Sequence, residues 1–157
     1  MGRAYLRRRD GLTQQGLRLD LEKPLPAVND PDAAPYWRAA KEHRLALQWC
    51  GACSTYLYPP GPACPLCGGA EVPYRDLGSR ITGHLYSYIV THRAFVPGFA
   101  KDAPYVVALA EVDQASRAKL LANLVSCKPE EVRIGMPLTM VWEDRTDEVT
   151  LPQWAPG

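Results

Sequence analysis

Four cysteines in two Cys-x-x-Cys pairs, Cys50/Cys53 and Cys64/Cys67, restrict this chain more than any other feature. Two residues between cysteines let both sulfurs of a tight turn face one ion, and two such turns close a tetrahedral shell. In the second turn, Cys64-Pro65-Leu66-Cys67-Gly68, Pro65 presets its φ and Gly68 supplies the positive φ needed just after the turn. In the first, Gly51 and Ala52 are small where the backbone must curl round the ion. Ten residues separate the pairs, fewer than the ~15–20 of the commonest zinc spacing. That is still room for a short hairpin, Ser54 to Leu57 and then Tyr58-Pro59-Pro60-Gly61-Pro62, and the pattern is that of a zinc ribbon.

Two disulfides are the first competitor, and they need an oxidising compartment; no apolar signal stretch follows the basic residues of Met1-Gly2-Arg3-Ala4-Tyr5. Iron in a rubredoxin-like redox carrier is the second. It uses the same ligands but calls for more chain between the knuckles to shield it, and colour would reveal it at once. Structural Zn2+, one per chain, is the expected ion. A closed four-thiolate shell has no open position for water or substrate, so it holds shape and performs no chemistry.

With 157 residues, 46% of them hydrophobic, the chain can bury a core as one ordinary domain or two small ones. Fifteen prolines and twelve glycines, with β-branched stretches late in the chain, point to a turn-rich, mainly β fold. No apolar run reaches membrane-spanning length, and a cytoplasmic location is expected. Residues 1–45 carry nine Lys/Arg against six Asp/Glu, whereas residues 46–157 carry nine against eleven. This part being slightly acidic, and four thiolates on a divalent ion adding to that, nucleic-acid binding is disfavoured. Arg7-Arg8-Arg9 is the only basic run, and near a terminus it reads as a solvated tail.

Along the chain, residues 1–31 read as an N-terminal arm or linker, 32–70 as a helix plus zinc ribbon, and 71–157 as a barrel with a C-terminal tail. Asp30 or Asp32 can cap a helix whose Tyr36, Trp37, Ala40 and His43 fall on one face. A strand from Leu45 to Trp49 enters the first knuckle, and Tyr56-Leu57-Tyr58 returns toward the second. Val72 to Leu77 reads as extended. Ile81 to His92 alternates in part, with Ile81, Gly83, Leu85, Ser87 and Ile89 on one face. Further strands are expected at Tyr105–Val112, Lys119–Cys127 and Leu138–Glu143, with a short last one near Glu148–Leu151. Pro129 opens a helical turn between the third and fourth barrel strands, and Gly135 is expected to end it. Five strands with that one helical turn is the order of a five-stranded OB-type barrel.

Several segments together resemble one family: bacterial and archaeal proteins with a rubredoxin-like zinc ribbon followed by an OB-fold, associated with acyl-CoA enzymes. They are Pro35-Tyr36-Trp37, Leu47-Gln48-Trp49-Cys50, Tyr58-Pro59-Pro60, Cys64-Pro65-Leu66-Cys67-Gly68, His92-Arg93-Ala94-Phe95, Pro104-Tyr105-Val106-Val107-Ala108-Leu109 and Ile134-Gly135-Met136-Pro137-Leu138. The resemblance covers roughly residues 30–154. It implies zinc ligands at Cys50, Cys53, Cys64 and Cys67 and no catalytic residue. It also implies a hetero-oligomer with a thiolase-like or lipid-transfer-protein-like subunit (thiolase, synthase or retro-aldol lyase), and for some members a hot-dog enoyl-CoA hydratase in steroid side-chain breakdown.

The residues agree with an accessory role, in which the chain alone has no activity. His43, His84 and His92 are the only histidines, and none has an evident nucleophile or base beside it. Glu130-Glu131 and Asp147-Glu148 fall at a helix start and a hairpin tip, where charge is solvated. Cys127 reads as a buried structural thiol. Arg93, Phe95, Phe99 and Lys101 form a loop with cations for phosphates and aromatic faces for an adenine, the needs of an acyl-CoA; anchoring the loop to the barrel is the plainer role for the phenylalanines. Trp37, Trp49, Tyr56 and Tyr58 are candidate partner anchors. The alternative function is a single-stranded nucleic-acid module stacking bases on Tyr86, Tyr88 and Tyr105.

Overall fold

The computed structural model describes residues 23–157. Arg7-Arg8-Arg9 lies outside them. Helix α1, Ala34–Lys41, starts where Asp30 Oδ1 accepts from the N–H groups of Asp32 and Ala33 at 3.0 and 3.1 Å. Neither aspartate caps the helix: the N-cap position is Ala33, with no side-chain cap bond, and Asp30 instead closes the turn that leads into it. Tyr36 and Ala40 are buried, with Trp37 half-buried beside them. His43 is not on the helical face: the helix stops at Lys41, and His43 takes φ +56° while the Arg44 N–H returns to the Ala39 carbonyl.

That reversal delivers the chain into β1, Leu45–Cys50, the centre of a three-stranded antiparallel sheet with β2, Thr55–Leu57, and β3, Tyr74–Gly78. Buried Gln48 fastens the proline-rich turn over this sheet: its amide donates to the Gly61 carbonyl at 2.8 Å and accepts the Gly61 N–H at 2.9 Å. The pairing satisfies a buried amide that would otherwise be costly.

The second sheet is a closed barrel of β4 (Thr82–Thr91), β5 (Tyr105–Val112), β6 (Lys119–Leu124), β7 (Pro137–Asp144) and β8 (Thr150–Pro156), in the order β4-β5-β6-β8-β7. It is the OB order, with a 3-10 turn at Pro129–Glu131 between β6 and β7. Glu131 reaches back to the Lys128 N–H at 3.2 Å, and the turn already ends at Val132. Gly135, expected to end it, instead uses φ +81° to feed β7, with its N–H on the Leu85 carbonyl at 2.8 Å.

Three barrel strands depart from the sequence expectation, β6 by ending at Leu124 rather than Cys127. In β4 the register shifts between Leu85 and Ser87, so the alternation changes phase: Ile81, Gly83 and Leu85 are buried, but Ile89 is 62% exposed and Tyr88 and Val90 turn toward the core. An extra residue in one strand inverts every side chain beyond it. β8 runs to Pro156, well past Leu151, and carries Trp154, which is fully buried and donates from Nε1 to the Leu120 carbonyl at 3.3 Å. Pro152 and Pro156 are tolerated because β8 meets β6 in register only at Leu124↔Trp154.

One apolar cluster joins Tyr36, Leu45 and Leu47 to the barrel interior at Ile81, Leu85, Val106, Leu120 and Trp154. A polar clasp closes the same junction from outside: His43 Nε2 lies 3.0 Å from Asp144 Oδ1, which accepts from Thr150 Oγ1 at 2.6 Å. The Thr150 hydrogen bond, followed by that of His43, holds the Asp144 carboxyl below the usual carboxylate range. A depressed carboxyl contributes stability above its unfolded pKa, and that contribution is lost as pH falls through the folded value. Asp144→Asn should therefore melt below wild type at neutral pH, the gap closing as pH drops below about 4 in a melting series. A gap independent of pH would assign the effect to packing instead.

Candidate metal centre

β1 ends in Cys50, and the turn after it brings Cys53 round before β2 begins. The second knuckle is closed by backbone bonds: the Gly68 N–H donates to the Cys64 carbonyl at 2.9 Å, and the Cys64 N–H to the Gly69 carbonyl at 2.8 Å. Gly68 takes φ +75°, the role expected of it. All four sulfurs then lie within 4.8 Å of one another. Cys50 Sγ is 3.7 Å from Cys67 Sγ, and Cys64 Sγ is 3.9 Å from Cys53 Sγ.

Those separations discriminate between chemistries. A disulfide brings sulfurs to about 2.05 Å, whereas thiolates about 2.3 Å from a tetrahedral ion stand about 3.8 Å apart. The donor set fits a thiolate-bound ion with no place for a fifth group. Burial raises the Cys64 thiol, but backbone N–H groups of Cys67 and Leu66, with the Cys50 and Cys67 side chains, outweigh it and bring it down to about 7. Cys53 is pushed up to about 12, first by its hydrogen bond to Cys67. Binding a divalent cation requires all four as thiolates, so uptake would release protons. Cys50 and Cys64 are buried while Cys67 is exposed beside Leu66, 68% exposed at the tip of the second knuckle.

The aromatic residues of the ribbon divide into two groups. Trp37 and Tyr58 pack on buried Tyr36, with ring centroids 4.9 and 5.7 Å away. Trp49 meets Tyr56 edge-on at 4.7 Å, and the Arg75 guanidinium sits 4.2 Å from the Trp49 ring. Sequence reading missed Arg75, because only the pairing of β3 with β1 brings it there.

The loop after β4 holds its four candidates in different settings. A 3-10 turn at Pro97–Phe99 sets Phe99 against Tyr105, centroids 5.6 Å apart, with Lys23 Nζ 5.2 Å from the Phe99 ring and 2.7 Å from Asp102. Phe99 is thus a half-buried anchor, while Phe95 is 93% exposed. Arg93 and Lys101 are exposed and form no ion pair among the described residues.

Of the histidines, His84 Nδ1 pairs with Asp113 at 3.0 Å, His43 belongs to the clasp, and His92 is exposed. Cys127 is half-buried rather than buried, its thiol raised by burial and then by Glu131, away from the reactive thiolate form. Among the described residues no cysteine or serine side chain is hydrogen-bonded to a histidine or carboxylate; the hydroxyls that meet one are Thr82 on Asp113 and Thr150 on Asp144, both at 2.6 Å. No helix there is long and apolar enough to cross a membrane.

Comparison with known proteins matches residues 37–73 to the ChsH2 rubredoxin-like zinc ribbon domain and residues 76–143 to the ChsH2 C-terminal OB-fold domain. A probable enoyl-CoA hydratase alpha subunit from Thermomonospora curvata is 42% identical over 135 residues, covering 86% of this chain but only 40% of that longer protein. A DUF35 domain-containing scaffold protein from Methanocaldococcus jannaschii is 34% identical over 118 residues, 72% of this chain and 81% of that one. Among solved structures, a chain of the Ltp2-ChsH2(DUF35) aldolase superposes with TM-score 0.69 at 40% identity, covering 83% of this chain and 98% of that one. A DUF35-family structure from Sulfolobus solfataricus, 14% identical with TM-score 0.58, shares the fold.

Proposed function

Since the chain belongs to the DUF35 family, with a ChsH2-type zinc ribbon and OB-fold, we propose that it is a non-catalytic scaffold subunit of a thiolase-like enzyme acting on acyl-CoA thioesters. The observation that carries this reading is the closed four-sulfur cluster, in a chain whose described residues hydrogen-bond no cysteine or serine side chain to a histidine or carboxylate. The extent of the likeness to the aldolase-complex chain, 98% of which is covered, supports an enzyme subunit as partner and a retro-aldol lyase ahead of a thiolase or synthase. We assign Zn2+ to Cys50, Cys53, Cys64 and Cys67, one per chain, bound for structure; thiolates kept reduced suit the cytoplasm. Acyl-CoAs of steroid side-chain or aromatic-acid breakdown are the substrate classes we assign, and turnover of one against the other by the assembled complex separates them. A hot-dog enoyl-CoA hydratase is a second partner, supported by the hydratase subunit that this chain resembles over part of its length.

The test is turnover of an acyl-CoA thioester by the lone chain, by the enzyme subunit and by their mixture. The lone chain should be silent. Turnover by the purified chain alone, abolished by no partner contaminant, would reject a scaffold role.

The loop at the subunit boundary is the part we assign to coenzyme A, with Arg93 and Lys101 on its phosphates and Phe95 and Phe99 on its apolar surface. Arg93→Ala or Lys101→Ala should raise the KM of the complex about ten- to a hundredfold, the loss of a charge-assisted contact of about 1.5–3 kcal/mol. Metal content and assembly should be unaffected. Unchanged KM in both variants would make the loop structural and leave the thioester wholly to the partner.

The nucleic-acid alternative draws less support. Of its three stacking candidates, Tyr88 turns to the core, Tyr105 is covered by Phe99, and only Tyr86 stays largely open, with Lys119 Nζ 4.4 Å from its ring.

A further inference from the structure

The β4 bulge has a consequence on the outside of the barrel. Beyond it, Ile89 points outward and lies in register with Val107 and then Asn123, while the next row places Ser87 beside Leu109 and Leu121. Ile89 and Leu121 are 62% and 59% exposed, and Val107 and Leu109 between them are half-buried. Four aliphatic side chains thus form one patch across three strands, on the face where an antiparallel barrel ordinarily places polar residues. The patch continues through Tyr105 to the Phe99 loop.

Its border is cationic. Lys119 stands at one end, and the loop bearing Arg93 and Lys101 joins β4 to β5 at the other; Asp102 is taken by Lys23, leaving Glu111, opposite Lys119, as the carboxylate in the next row. This contrasts with residues 23–157 as a whole, which carry 13 Lys/Arg against 14 Asp/Glu. Contiguous exposed apolar surface inside a polar rim marks an interaction site. Aliphatic groups offer bases nothing to stack on, whereas they fill the dry centre of a protein interface.

We infer that the outer face of β4, β5 and β6 is the docking surface for the enzyme subunit, receiving an apolar protein surface bordered by carboxylates. The inference rests on the scaffold reading above. It adds the face used, and it seats the Arg93–Lys101 loop at the edge of the same contact.

The full chain, loaded with zinc, is titrated calorimetrically into the purified Ltp2 aldolase subunit. Leu121→Glu and Ile89→Glu, both at exposed positions, should each weaken binding about a hundredfold with circular dichroism and metal content unchanged. Lys119→Glu should slow association at low salt, the difference shrinking as salt is added. If wild type binds and both glutamate variants bind equally well, the face is wrong while the scaffold reading stands. If wild type does not bind, the scaffold reading fails and this face with it. Sedimentation showing wild-type dimers that Leu121→Glu dissolves, or an oligothymidine bound by wild type and not by Leu121→Glu, would also overturn the assignment, in favour of self-association or single-stranded nucleic acid.

Discussion

Cys64→Ser should strip the metal from the chain and unfold the ribbon. Cys64 is buried, it is one of four converging sulfurs, and its backbone closes the second knuckle through Gly68 and Gly69. Structural zinc sites of this kind bind with about 10–16 kcal/mol at neutral pH, and where no preformed site exists in the unfolded chain that binding is folding free energy. The ribbon has little else: its own buried cluster comprises Cys50, Leu57 and Cys64, with Cys53 and Val72 against it. Elemental analysis should fall from about one zinc per chain to near none, and amide exchange should accelerate across β2 and the knuckles. β1 should be affected less at its start, since Leu45 and Leu47 belong to the barrel-side core. Full zinc retention in the variant would contradict the ligand assignment.

Trp154→Ala should be the most destabilising single change in the barrel. The indole is fully buried, its N–H is spent on the Leu120 carbonyl, and it lies against Gly83, where any Cβ would overlap the Glu111 carbonyl. Replacing such a tryptophan costs about 3–5 kcal/mol, a large share of the ~5–15 kcal/mol that holds a domain folded. Urea unfolding should show the midpoint falling with zinc content unchanged, because the knuckles lie at the far end of the ribbon sheet. A loss below about 1 kcal/mol would mean that the barrel closes without this residue.

What could be read in the chain follows from how local each determinant is. The knuckles were legible because Cys-x-x-Cys, Pro65 and Gly68 specify their turns within five residues, and the OB order because its strands alternate and its 3-10 turn begins with Pro129. The β4 bulge was not legible: the partial alternation from Ile81 to Ile89 reads as one unbroken face, and only pairing with β5 decides where the extra residue goes. The end of β8 was hidden for the opposite reason, since Pro152 and Pro156 read as strand breakers until a neighbour is seen that needs few of their hydrogen bonds. His43 likewise sits at helical spacing from Tyr36 and Ala40, but its left-handed backbone carries it to Asp144, 101 residues on. The loop candidates Arg93, Phe95, Phe99 and Lys101 were chosen by residue type, and type alone does not say that Phe99 is held by Tyr105 while Phe95 is open.

Native mass spectrometry of the zinc-loaded chain mixed with the Ltp2 subunit bears on the scaffold role most directly. A hetero-oligomer containing both proteins, with one zinc ion for every copy of this chain, is what a structural-zinc scaffold should give. Two separate species at micromolar concentration, or a complex that forms equally well with zinc removed and the ribbon unfolded, would contradict it.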